Sequence, residues 1–315
     1  DEGPTRQLFR LRIEGTGGGG GENKLEEIAR LTVEGIKFGL TIAMMAVGLS
    51  LIFGTTGLVN FAHGELVTIG AVVAWYINDW GVVLPLAAIL AMMVSFGFGS
   101  GLDAGLWRPL RRRGTSLIAM LVVTIGLSLF LRYGVLYIFG GRPKAYKQYV
   151  VQDGVELGFV TVAPKDLFAI VISIVVLGSV GLILQRTRVG KAIRAVSDNR
   201  DLAESSGINV DRIINTVWGA GAALACLGGV LFSIGEFVDW QAGFRLLLLI
   251  FAGVTLGGLG TAYGAFVGSV IVGIFIQVST VWIPTELKNV GALVVLIVIL
   301  VFRPQGILGQ RERIG

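Results

Sequence analysis

Histidine and cysteine are nearly missing from this sequence: His63 and Cys226 stand alone among 315 residues. A single cysteine excludes an intramolecular disulfide. One histidine and one cysteine far apart cannot supply a usual zinc site, so no metal ligands are assigned. Charge is scarce as well, 15% Asp, Glu, Lys and Arg against about 25% in soluble domains. No G-x-x-x-x-G-K-S/T loop occurs. "RTRVGKA" (Arg186 to Ala192) has the Gly-Lys pair but lacks the upstream glycine and the following Ser or Thr, so ATP is not bound by that route. No G-x-S-x-G elbow and no H-E-x-x-H helix is found, and neither a catalytic residue nor a cofactor is expected. The formal net charge of +5 sits between apolar runs, with no long basic patch and interleaved aromatics. It reads as loop charge and excludes a nucleic-acid partner.

What is present is apolar sequence: 54% hydrophobic residues and a mean hydropathy of +0.78. Apolar runs lie near 34–54, 61–78, 83–106, 116–139, 166–185, 213–235, 244–260, 264–283 and 287–302. Several exceed the roughly 18 residues that mark a membrane helix. The expected fold is all-α, a polytopic transmembrane helical bundle of about eight to ten membrane segments. Residues 1–33 are polar and carry the glycine run Gly17–Gly21, which reads as a flexible linker. The sequence starts at Asp1 without methionine or a signal-peptide pattern, as expected of a processed chain or a fragment. The expected organisation is a polar segment 1–33, a transmembrane domain 34–303 and a tail 304–315.

Orientation follows from Lys and Arg in the connections. "RPLRRRG" (Arg108 to Gly114), the basic start of 185–212 and the tail "RPQGILGQRERIG" are separated by even numbers of spans. They therefore share one side, the cytoplasmic one. The loop 140–165 and the N-terminus then lie outside.

One stretch does not fit a lipid-facing helix: "GTTGLVNFAHGELVTIG", Gly54 to Gly70. Glycines punctuate it, and Asn60, His63 and Glu65 fall within six residues. The pattern predicts a helix ending near Phe53, an irregular turn, and a new helix from Asn60 or Phe61 with Asn60 as its cap. Non-helical backbone at membrane depth is tolerated where it is buried in protein or lines a cavity, and broken helices often mark transport sites. Asn60, His63 and Glu65 are therefore candidates for the translocation path or its inner gate, in the inner half of the membrane. Their alternative role is purely structural.

Glycine is abundant, 47 residues, and recurs at small-xxx-small spacing as Gly253–Gly257 and Gly260–Gly264–Gly268. These are helix-packing candidates. "GGLGTAYG" also breaks a helix and predicts a turn between two spans.

The connection 185–212 is longer than topology needs. Ala192, Ile193 and Val196 are spaced for one helical face, and "DNRDLAESSG" predicts a second short helix, capped by Asp198 or Asn199 and closed by Gly207. Such a hairpin suits docking to a cytoplasmic partner.

"GLTIAMMAVGLSLIFGTTGLVNFAHGELVTIGA" resembles the N-terminal signature of the permease subunits of branched-chain amino-acid ABC importers, with "G-x-x-N-F-A-H-G-E" as its specific core. The resemblance continues through "RPLRRRGTSLIAMLVVTIGLSLFL", "TRVGKAIRAVSDNRDLAESSGINVDRI", "GGLGTAYGAFVG" and "LVFRPQGILG", about residues 34 to 310. It is closest in kind to the H-type permease of the Liv family. The resemblance implies a second homologous permease subunit, two ATPase subunits, an extracytoplasmic substrate-binding protein and a bacterial-type inner membrane. It implies that 186–212 is the ATPase-coupling element, with Arg188, Gly190, Ala192, Arg194, Ala195, Asp198 and Gly207 as coupling candidates. The expected function is import by alternating access, with ATP hydrolysed on partner chains. Alternatives with the same fold carry urea, short amides or other amino acids. A stand-alone secondary transporter or channel would use ionisable groups deep in several spans, where Glu65 and Asp103 are the acidic candidates. A receptor or scaffold would carry no flux.

Overall fold

The computed structural model describes residues 22–147, 155–157 and 160–284, together with 287, 290, 291, 293, 294, 297, 298, 301 and 306–308. The glycine run Gly17–Gly21, most of the expected span 287–302 and most of the tail lie outside the described residues.

The first helix, α1 (Glu22–Thr56), begins well before the apolar run and takes in residues 22–33 of the predicted polar segment. It is followed by α2 (His63–Asp79), α3 (Leu84–Leu102), a π-helical turn (Asp103–Trp107), α4 (Arg108–Arg112) and α5 (Leu117–Phe139). A small antiparallel hairpin, β1 (Val155–Leu157) and β2 (Val160–Val162), pairs Val155 with Val162. Then come α6 (Pro164–Arg186), α7 (Arg188–Asp198), α8 (Arg200–Ser205), α9 (Val210–Gly235), α10 (Ala242–Gly257) and α11 (Ala262–Val278). Among the described residues six helices are long and apolar enough to cross a membrane. With the shorter α2 and α10 they form the all-α polytopic bundle.

The bundle is organised around α1 and α9, whose apolar stretches are mostly buried. Glycines set the spacing. A Cβ at Gly48 would sit 2.7 Å from the Gly221 carbonyl oxygen, and one at Gly39 2.7 Å from Val270 Cα. The helix backbones therefore touch where those side chains are missing, which is how membrane helices gain packing energy without a hydrophobic driving force. By contrast α5 and α6 expose long apolar faces, including Ile118, Phe130, Val171 and Ile174. Such faces are as apolar as acyl chains and suit contact with lipid or with another apolar membrane helix.

Two segments re-enter the bundle. At 1.5 Å per residue α2 and α10 are roughly 24–26 Å long, short of a bilayer core of about 30 Å. The break before α10 is held by Val238, whose N–H donates to Lys144 O at 2.8 Å and whose carbonyl accepts from Lys144 N at 3.0 Å. At the other end of α10 the main-chain N–H groups of Ile307 and Leu308 donate to the free carbonyls of Leu256 and Gly257. A helix C-terminus leaves such carbonyls orphaned, so Ile307 and Leu308 cap α10.

Candidate functional site

The predicted break in the first hydrophobic region is present, shifted by three residues. The helix continues past Phe53 to Thr56, and Gly57 turns with φ 67°. The next helix starts at His63, not at Asn60 or Phe61. Asn60 is not its N-cap. Its side-chain oxygen accepts from Ala62 N at 3.0 Å, and its carbonyl accepts from His63 N. This Asx turn competes with a cap because the amide reaches its own backbone two residues on.

The turn climbs back along α1. The Met45 carbonyl oxygen lies 2.9 Å from His63 Nε2. A carbonyl only accepts, so Nε2 carries the proton. Met45 lies roughly 16 Å from the Thr56 end of α1. The element thus begins close to the middle of the bundle rather than at the Thr56 end of α1. Phe61 ties it to α5 and α10, its N–H donating to Thr124 Oγ1 at 3.3 Å and its ring packing 5.3 Å from that of Phe251.

Glu65 is fully buried, and its partners are side chains of α5. Its Oε1 accepts from Ser128 Oγ at 3.0 Å, Arg132 Nε at 3.0 Å and Arg132 Nη2 at 2.9 Å. Arg132 also donates to Ser128 and stacks with its guanidinium carbon 3.6 Å from the centroid of Phe244. Phe244 stands in the first turn of α10, where Gly243 N donates to Thr68 Oγ1 at 3.0 Å. A Cβ on Gly64 would lie 2.6 Å from the Gly243 carbonyl oxygen. The N-terminal ends of the two short helices therefore meet backbone to backbone, with a charge pair and an aromatic ring closing over them. Three buried atoms of this element make no hydrogen bond within the described residues: Asn60 Nδ2, His63 Nδ1 and Glu65 Oε2. They offer one donor and two acceptors.

Arg132 escaped the sequence reading. Its signal was the spacing Thr124, Ser128, Arg132, a polar stripe on one face of an otherwise apolar helix. Asp103, the other acidic candidate, lies among basic residues. Its Oδ1 accepts from Arg111 at 2.6 Å and its Oδ2 from Asn215 at 3.2 Å, with Arg108 3.7 Å away. Arg108 and Arg112 reach on to Asp211 at the start of α9.

The connection 185–212 forms the two predicted helices. Thr187 caps α7, and Asn199 rather than Asp198 caps α8, its Oδ1 accepting from Leu202 N at 2.9 Å. Gly207 ends the hairpin with φ 84°. Ser197 Oγ donates to Gly54 O at 2.8 Å, so α7 lies against the end of α1. The coupling candidates divide. Arg188, Arg194, Asp198 and Gly207 are exposed. Gly190 is buried against the backbone of Ile183 and Leu184, Ala195 packs on the core, and Ala192 is half-buried. The tight fold-back at Gly190 leaves no room for a side chain.

Of the packing glycines, Gly253, Gly257, Gly264 and Gly268 lie where α10 and α11 touch: Gly253 faces Ser269, Gly257 faces Gly264, and Gly268 faces both Gly253 and Gly257. Gly260 does not share that face. It lies in the turn between the helices with φ 83°, its carbonyl against Gly54.

The family described as branched-chain amino acid transport system, permease component, matches residues 31–301. The high-affinity branched-chain amino acid transport system permease protein LivH of Escherichia coli strain K12 is 31% identical over 294 residues, covering 88% of this chain and 94% of that protein. The corresponding protein BraD of Pseudomonas aeruginosa is 29% identical, covering 89% and 95%. The permease protein LivM of the same Escherichia coli strain is 25% identical, covering 89% and 71%. No solved structure matches. A match across nearly the whole membrane domain, on a helical bundle interrupted where the signature residues lie, establishes that this chain belongs to the family of branched-chain amino acid transport system permease components.

Proposed function

We propose that this chain is the permease subunit of an ATP-driven importer of branched-chain amino acids and that it lines, with a second homologous permease, a path worked by alternating access. The observation that carries this reading is the 31% identity to a permease of that named system over 88% of the chain. That two distinct permeases of one organism, LivH and LivM, both resemble the chain supports a paired arrangement. In this reading two ATPase subunits dock on α7 and α8, and a substrate-binding protein approaches the opposite end. The N-terminus and residues 1–33 lie outside the inner membrane, and the tail 304–315 inside.

The geometry around Asn60, His63 and Glu65 supports a place on or beside the path. A helix that starts within the bundle, with the buried Asn60, His63 and Glu65 at its start, has the form in which broken helices build transport sites. Both fully buried carboxylates among the described residues, Glu65 and Asp103, are paired with arginines. That favours external driving over ion coupling by a free intramembrane acid. A ligand shifts two packings only through its differential affinity for them, so the driving contact belongs on the exposed α7–α8 hairpin.

The test is uptake of labelled leucine into proteoliposomes holding the assembled permeases and binding protein, with and without the ATPase subunits. ATP-dependent uptake that excess urea leaves unchanged is expected. Uptake of equal rate without the ATPases would sink the reading.

A further inference from the structure

Away from the broken-helix element, at the end of α1 remote from α7, the structure has a second polar feature. Where α1, α6, α9, α10 and α11 meet, a cavity of about 220 Å³ opens. Lys37 of α1 and Gly54, which touches α7, are roughly 26 Å apart along the helix. The cavity therefore lies across the bundle from the hairpin.

Its polar lining alternates in sign. Lys37 Nζ pairs with Asp166 Oδ1 at 3.0 Å, across from α1 to the first turn of α6. Arg245 of α10 pairs with Asp239 at 2.6 Å, and Glu236 and Lys165 complete the charged part of the lining. The remaining wall is aliphatic and aromatic, with Phe38, Leu231, Leu246 and Leu249. The volume is below the roughly 300 Å³ at which drug-sized pockets begin.

We infer that this cavity is a binding site for a zwitterionic amino acid with a branched aliphatic side chain, a stopping point at the end of the bundle opposite α7. Its carboxylate is taken by Lys37 and Arg245, its ammonium by Asp166 and Glu236, and its side chain by the wall of Phe38, Leu231, Leu246 and Leu249. A lone anion or cation meets a repelling charge next to every attracting one, and a zwitterion meets neither penalty. Three of the side chains that would receive it, Lys37, Asp166 and Arg245, already hold ion pairs. An entering solute therefore exchanges the Lys37–Asp166 contact for its own, which loosens α6 from α1. This inference rests on the transport reading above and names an outer site within it.

The test measures binding of labelled L-leucine to the purified chain in lipid nanodiscs, without nucleotide or binding protein. Saturable binding is expected, displaced by valine but not by isocaproate, which lacks the ammonium, or isoamylamine, which lacks the carboxylate. Arg245→Gln and Glu236→Gln alter exposed side chains and should leave the fold intact, checked by size-exclusion profile. Each should weaken binding on the order of tenfold. No binding, or binding unchanged in both variants, would overturn the site. Uptake by the assembled transporter with unchanged KM in both variants would remove the site and leave the transport reading standing. Leucine binding without uptake by the assembly would keep the site and remove the transport reading.

Discussion

Arg132 reaches Glu65 with two nitrogens on one carboxylate oxygen, Nη2 at 2.9 Å and Nε at 3.0 Å, in a setting that leaves Glu65 fully buried. The pair joins α5, which otherwise exposes apolar side chains over much of its length, to the first turn of a helix that begins inside the bundle. Removing one partner of a buried pair leaves an uncompensated charge, at a cost of about 3–5 kcal/mol. Arg132→Met and Glu65→Leu should each lower the thermal stability of the detergent-purified protein by an amount in that range. The double variant should recover most of the loss. Uptake, however, should stay impaired in all three. Equal stability losses that simply add would show that the two residues do not act as a pair.

The meeting of α2 and α10 depends on two missing side chains. A Cβ on Gly243 would run into the Gly64 carbonyl oxygen, whereas one on Gly101 meets nothing within 4 Å. Overpacking of this kind costs about 1–3 kcal/mol or more. Gly243→Ala should reduce the amount of folded protein recovered from membranes. Gly101→Ala, on an exposed face of α3, should match or slightly exceed the parent. Fluorescence-detected size exclusion compares them directly, and a normal profile for Gly243→Ala would refute the close approach.

Because Ala195 packs on the core, a bulky residue there would disturb the fold as well as any docking. The exposed Arg194 and Leu202 are the cleaner probes of the α7–α8 hairpin. Arg194→Glu and Leu202→Glu should insert normally and weaken ATPase association on the order of tenfold, as expected for a reversed or introduced interface charge. Pull-down of the ATPase subunits against membrane abundance is the measurement. Full association in both variants would place the docking surface elsewhere.

Topology is open to labelling from one side of the membrane. Cys226 is buried against Gly70, so a small replacement such as Cys226→Ala gives a suitable background. Trp80, 80% exposed beyond the end of α2, should then be labelled as Trp80→Cys in intact cells. Arg113→Cys should react only after permeabilisation. The reverse pattern would invert the proposed orientation.

The hydrophobic runs, the glycine breaks and the polar residues among them sufficed to specify a polytopic helical bundle, a broken helix near residue 60 and a capped helical hairpin at 185–212. Those features are local. They follow from the cost of bare backbone in hydrocarbon, from glycine's freedom at positive φ and from side chains that cap their own helices. Partnerships across helices were another matter. Glu65 could have found its charge partner on any span, and the turn after Thr56 could have stayed at the end of α1. Only the packing of Gly64 on Gly243, and of Met45 against His63, raises the element to mid-bundle and brings it to Arg132. The physical reason is that periodicity records which face of a helix is buried, while depth and azimuth relative to other helices depend on backbone contacts made by residues distant in the chain.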